Sequence, residues 1–169
     1  MNRVIQQDRD VAALLPKTNL ARLVMNHWHD TTTLPSVSSA DCSTSAHPYI
    51  NDACLTQFDA VLNWTTGDLN AWSIITARSA DAAGDGGAGH TIFTNTTLKE
   101  QWLAMWSFLA ARYAGTNNIA GYEVMSEPRT TASASIVHAI QVEACNAVWA
   151  QDSRASCIIG SVSQLIEIV

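Results

Sequence analysis

A chain of 169 residues, 47% hydrophobic and 14% charged, carries enough apolar side chains for a packed core, which excludes an intrinsically disordered protein. The formal net charge of −6 leaves no broad basic surface to neutralise phosphates or anionic lipid, so the expected partner is neither nucleic acid nor membrane. No stretch reaches the ~18 continuous apolar residues of a membrane span, and the opening MNRVIQQDRD lacks a signal-peptide core.

Helical and strand periodicities alternate along the chain. Residues 1–16 predict a short helix, with Val11, Leu14 and Leu15 on one face. NLARLVMNHW, 19–28, is an apolar run of strand length, and a polar loop rich in Thr, Ser and Pro follows over 30–51. The segment 53–64 places Leu55, Phe58, Val61 and Leu62 at helical spacing. AWSIITARS, 71–79, has the apolar density of a buried strand. DAAGDGGAGH, 81–90, is a glycine-rich loop expected to cover something or to move.

Thr97 and Glu100 have the spacing of a capping box, and after them Leu98, Trp102, Met105, Trp106, Leu109 and Tyr113 recur every three or four residues, predicting a helix over 97–114. NIAGYEVM, 118–125, is a strand, 132–150 a helix through Ile136, Ile140 and Val148, and CIIGSV, 157–162, a last strand. Such alternation predicts parallel strands with helical crossovers, either a doubly wound sheet or a (β/α) barrel. Periodicity leaves both open.

The four cysteines form two locally spaced pairs, Cys42 with Cys54 and Cys145 with Cys157, and Asn63 and Asn95 head Asn-x-Thr sequons. Both features favour disulfides and an oxidising, extracellular compartment; buried free thiols and chance sequons are the alternative.

The predicted strand ends are polar: Asn26-His27-Trp28-His29, Thr76-Ala77-Arg78, Ser126-Glu127-Pro128, and the neighbourhood of Ser161. Catalytic groups of a (β/α) barrel gather at those ends. A doubly wound nucleotide fold needs a glycine-rich turn directly between strand and helix, and loop 84–89 offers neither G-x-G-x-x-G nor a phosphate-binding lysine. Pro128 cannot donate to a ladder and biases Glu127 toward extended geometry, which puts a carboxyl at the rim. Taken alone, that carboxyl equally suits a helix cap or a pair with Arg129.

NIAGYEVMSEPR, preceded by MWSFLAARYAG, resembles glycoside hydrolase family 5, the cellulase-like family, whose fourth strand ends in Asn-Glu-Pro. NLARLVMN is similar to the family's second strand, with its arginine at Arg22, and segments 1–16, 53–64 and 97–114 fall where the first three barrel helices would be. The resemblance implies an α/β fold, an incomplete (β/α)8 TIM barrel from about helix 1 to strand 5, with residues 1–169 forming a partial catalytic domain. It implies Glu127 as general acid/base and Arg22 as a support for the catalytic carboxylates. It implies retaining hydrolysis of a β-linked polysaccharide or oligosaccharide, with no cofactor and no metal. The family's nucleophile ends its seventh strand. That glutamate, strand one and strands six to eight are expected outside this chain, which by itself is expected to be poorly stable and inactive.

Two positions depart from the family. Ser126 stands where an asparagine amide commonly bonds the sugar 2-hydroxyl, and Arg78 occupies the neighbourhood of a frequent histidine. Retaining hydrolysis needs carboxyls about 5–5.5 Å apart. Glu123, four residues before Glu127 on an extended strand, would lie about 13 Å away along it, so it is expected deeper, needing a partner such as Arg22. Asp30, Asp81 and Glu167 lack any local constraint.

His27 and His29, with His47 or His90, offer the alternative of a metal-dependent hydrolase. The simpler expectation is hydrogen bonding near the site. Trp28 is the best sugar-stacking candidate, whereas Trp102, Trp106 and Trp149 are expected in the core. A non-catalytic carbohydrate-binding relic is a further alternative, and oligomeric state is not encoded legibly.

Overall fold

The computed structural model describes residues 19–25, 52–78, 92–126 and 132–160. Its elements are β1 (Leu20–Met25), α1 (Asp52–Asn63), a π-helical turn (Trp64–Asp68), β2 (Trp72–Arg78), α2 (Thr96–Tyr113), β3 (Ile119–Ser126), α3 (Ala134–Trp149) and β4 (Cys157–Ile158). The expected helix over 1–16 and the glycine-rich loop lie outside the described residues.

The strands form one sheet in the order β1-β2-β3-β4, and each neighbouring pair is parallel. A doubly wound sheet reverses its strand order at a switch point. The described strands never reverse, and successive right-handed crossovers then stack the helices on one face. This is the winding of a (β/α)8 barrel, of which the chain supplies part.

The core lies between that face and the helices. Periodic apolar residues of α2 bury Trp102, Met105, Trp106 and Leu109 against Ile75, Tyr122 and Val124. Trp106 packs edge-on to both Trp102 and Tyr122, with centroids 5.9 and 6.2 Å away, and its Nε1 donates to the Val124 carbonyl at 3.1 Å. An indole N–H in a core needs such an acceptor. Trp149, expected in the core, is instead 43% exposed, with its Nε1 donating to the Ala155 carbonyl at 2.9 Å. Ile136 likewise faces out, while Val137, Ile140, Gln141, Ala144, Cys145 and Val148 form the buried stripe of α3. Of the three residues that set the expected face, Ile140 and Val148 are therefore buried as expected, and Val137 takes the inward place at the first turn in place of Ile136.

The helix starts also refine the sequence expectations. Because α2 begins at Thr96, Thr97 lies inside it and cannot serve as the N-cap of a capping box. At α3 the cap is Ser133, whose side chain accepts from the Ile136 amide.

Two devices hold the short strand β4. Cys145 on α3 is disulfide-bonded to Cys157, closing a loop over a separation of 12 residues; loops of that size are worth about 3 kcal/mol in the chain-entropy account. Gln141, buried in α3, matches the backbone of Gly160 with two hydrogen bonds, accepting from its amide at 2.8 Å and donating to its carbonyl at 3.0 Å. The second expected pair, Cys42 with Cys54, lies outside the described side chains.

Candidate active site

The site is built on the sheet face opposite the helices. Parallel register aligns Arg22 with Ile74 and Thr76 with Glu123, so these positions share one face. Arg22 on β1 reaches over β2 to β3. Its Nε donates to Glu123 Oε2 at 2.5 Å, and its Nη2 donates to Glu123 Oε1 at 2.8 Å and to Ser126 Oγ at 2.6 Å. A planar guanidinium meets a carboxylate with this two-pronged geometry, and such charge-assisted bonds are short and strong. Arg22 is therefore the partner of Glu123. The Glu123 side chain is 16% exposed, against 43% for Arg22.

A β-bulge makes the triad possible. From Thr76 to Arg78 on β2 the partner strand runs from Glu123 to Ser126, three residues against two. One extra residue in a strand reverses its in-out alternation. Glu123 and Ser126, which an unbroken strand would point to opposite faces, consequently both meet Arg22. Strict alternation counted from Glu123 thus fails already at Ser126. Thr76 Oγ1 donates to the Glu123 carbonyl at 3.1 Å, fixing the backbone just before the bulge.

Ser126 closes β3 and is buried, with 8% of its surface exposed. Its neighbour in the chain, Glu127, lies outside the described residues, as do His27, Trp28, His29, His47, His90, Asp30, Asp81 and Glu167. Arg78 is placed by its backbone at the end of β2, beside Ser126 in register; its side chain is not described. Among the described residues no group of three His, Cys, Asp or Glu side chains is arranged to hold a metal. Arg22, Glu123 and Ser126 are brought together. Thr76 was placed by its sequence only at a polar strand end, and its bond to the Glu123 carbonyl has no signal in a β-branched run beyond strand propensity.

A second ion pair lies in the helical layer, away from this face. Arg112 donates to both Asp59 oxygens, and the Tyr113 hydroxyl donates to Asp59 Oδ1 at 2.8 Å. Partial burial pushes the Asp59 carboxyl up, but the Arg112 and Tyr113 hydrogen bonds and the guanidinium charge outweigh it and hold the group below the usual carboxylate range. Burial, followed by Asp59, pushes the Tyr113 phenol upward. This pair ties α1 to α2.

The sequence model of the cellulase family, glycosyl hydrolase family 5, matches residues 13–165. No curated protein sequence matches the chain. Several solved structures do. The Cel5A of Thermotoga maritima in complex with mannotriose is 17% identical, with a TM-score of 0.69 over 93% of this chain and 44% of that one. The endoglucanase Cel5A of Pseudomonas stutzeri is 16% identical, with a TM-score of 0.66 over 94% and 43%. A xyloglucan-specific endo-β-1,4-glucanase from a metagenomic library, in complex with cellotriose, is 17% identical, with a TM-score of 0.65 over 90% and 44%. The chain therefore spans less than half the length of these structures, and at such identities they establish the shared fold.

Proposed function

The chain belongs to the cellulase family, glycosyl hydrolase family 5, and from that membership we propose that the protein carrying it hydrolyses O-glycosyl bonds in a β-linked polysaccharide or oligosaccharide. The single observation that carries the proposal is the Arg22–Glu123–Ser126 cluster at the end of β3, immediately before Glu127 and inside the family match. The mechanism is retaining. Glu127 protonates the leaving oxygen while a glutamate outside this chain, at the family's seventh strand end, attacks the anomeric carbon. Glu127 then takes a proton from water, whose oxygen replaces the glutamate on the sugar. Mannotriose and cellotriose in the related structures support a neutral β-linked glycan as substrate, in keeping with the net charge of −6. The Cys145–Cys157 disulfide supports an extracellular site of action.

Glu127→Gln in the protein that carries this chain tests the reading. Turnover of a β-glucan is expected to fall about 10²–10⁴-fold, the scale of a lost general acid, with cellotriose binding retained. Unchanged turnover removes Glu127 from the chemistry. Ser126, where the family has an amide, favours a second reading, a carbohydrate-binding relic; binding without turnover in the wild type would select it.

A further inference from the structure

We infer that Asn95 is an N-glycosylation site and that Asn63, which heads the chain's other Asn-x-Thr sequon, is not. The inference rests on the extracellular reading and deepens it by naming the residue that carries sugar of its own.

An N-glycan is joined in a secretory compartment, where an asparagine Nδ2 attacks the anomeric carbon of an oligosaccharide held on a lipid diphosphate. A C–N bond forms, the C–O bond to the diphosphate breaks with its electron pair leaving on that group, and the nitrogen gives up one proton. The transferase also reads the hydroxyl two residues further on. It therefore needs the asparagine and the threonine together, on backbone that can be drawn into its groove. Surface loops meet that need, and continuous helix does not.

The two sequons differ in that respect. Asn95 follows a turn over 92–94 and stands just outside α2, where its carbonyl accepts from the Lys99 amide at 3.0 Å as the helix begins. Asn95, Thr96 and Thr97 are all exposed. Because α2 belongs to the helical layer, a glycan at its start stands in solvent, on the other side of the sheet from Arg22. Asn63 is exposed too, but it is embedded in helix: α1 ends on it with φ −61° and ψ −41°, and the π-helical turn Trp64–Asp68 continues without a break. Its partner in the sequon, Thr65, is only 1% exposed, and the Thr65 Oγ1 donates to the Val61 carbonyl at 2.8 Å. To present that hydroxyl the turn must unwind and Thr65 must leave the core, a local unfolding that the segment at Asn95 does not require.

The test is a peptide map of the protein that carries this chain, secreted from a eukaryotic host behind a cleavable leader and treated with peptide N-glycosidase in heavy-oxygen water. That enzyme turns a glycosylated asparagine into a labelled aspartate. The label is expected at position 95, with unaltered asparagine at 63. Asn95→Gln and Thr97→Ala should each abolish the shift in gel mobility that deglycosylation causes at this chain, whereas Asn63→Gln and Thr97→Ser, which keeps the hydroxyl, should leave it in place. The map of the wild type stands even where a variant without its glycan fails to fold. Unlabelled Asn95 overturns the inference, and so does label at 63 to the same extent as at 95, which would mean that sugar is transferred ahead of folding and without regard to it. Entry into the secretory compartment is supplied by the leader, so either result leaves the extracellular reading intact. Free thiols at Cys145 and Cys157 together with unlabelled Asn95, in protein taken from its natural source, would remove both.

Discussion

Single residues here owe their roles to the groups that face them. Asp59 shows it with a sign that can be worked out. Its folded pKa is depressed, so its stabilising contribution is complete above the unfolded carboxylate value and is lost as pH falls through the folded one. The pair is partly exposed, and solvent screening limits its worth to about 1 kcal/mol or less. Asp59→Asn should therefore lower unfolding free energy by about that amount at pH 7, with the gap to wild type closing below about pH 4. Urea titrations at the two pH values check it, and a gap that widens in acid contradicts the assignment. Arg22, by contrast, was legible from its place in NLARLVMN, but its contact with Ser126 was not. Only Glu123 could be anticipated as a partner, on the ground that a half-buried acid needs one.

At the scale of elements, the strands, helices and their order follow from apolar periodicity, and their deviations follow from close contacts. Gly121 is a clear case. A Cβ there would come within 2.5 Å of the Ser156 carbonyl oxygen, which accepts from the Tyr122 amide at 2.9 Å. Backbone obstructs the added methyl, and backbone cannot rotate aside. Gly121→Ala should push β4 from β3 and cost about 1–3 kcal/mol, as overpacking does. Faster amide exchange at Tyr122 in the variant would report the displacement; unaltered protection there would show that the sheet accommodates the methyl. The same element carries the bulge between Glu123 and Ser126, where the adjacent apolar residues Val124 and Met125 break the alternation without saying which strand they face. Register against β2 produces the extra residue, and register is not written in β3 alone.

For the molecule as a whole, one layer of helices on one face of a parallel sheet makes the contact between layers the main store of stability. Trp106 spans that contact, from Trp102 in its own helix to Tyr122 and the Val124 carbonyl in the sheet. Trp106→Ala should cost about 3–5 kcal/mol, a large part of the roughly 5–15 kcal/mol that a domain commonly has. A lowered midpoint with loss of near-ultraviolet circular dichroism would be the result; a shift of under about 1 kcal/mol would mean the layers are held elsewhere. The opposite face exposes Leu20, Val24 and Trp72 around the Arg22 cluster, apolar positions that alternate with the helix-facing ones along β1 and β2.

The amino-acid sequence by itself determined the alternating α/β order, the family resemblance through GYEVMSEPR, and the core role of Trp102 and Trp106, because periodicity and local motifs are properties of neighbouring residues. Periodicity alone left the doubly wound and barrel windings open; the polar strand ends and the family resemblance pointed to the barrel, and the strand order agrees with it. Tertiary structure alone decided the outward turn of Trp149 and Ile136 and the place of Ser126 beside the Arg22–Glu123 pair. The meeting of Arg22 and Ser126 depends on how one strand is registered against another, a relation between residues 104 positions apart that no window of sequence contains.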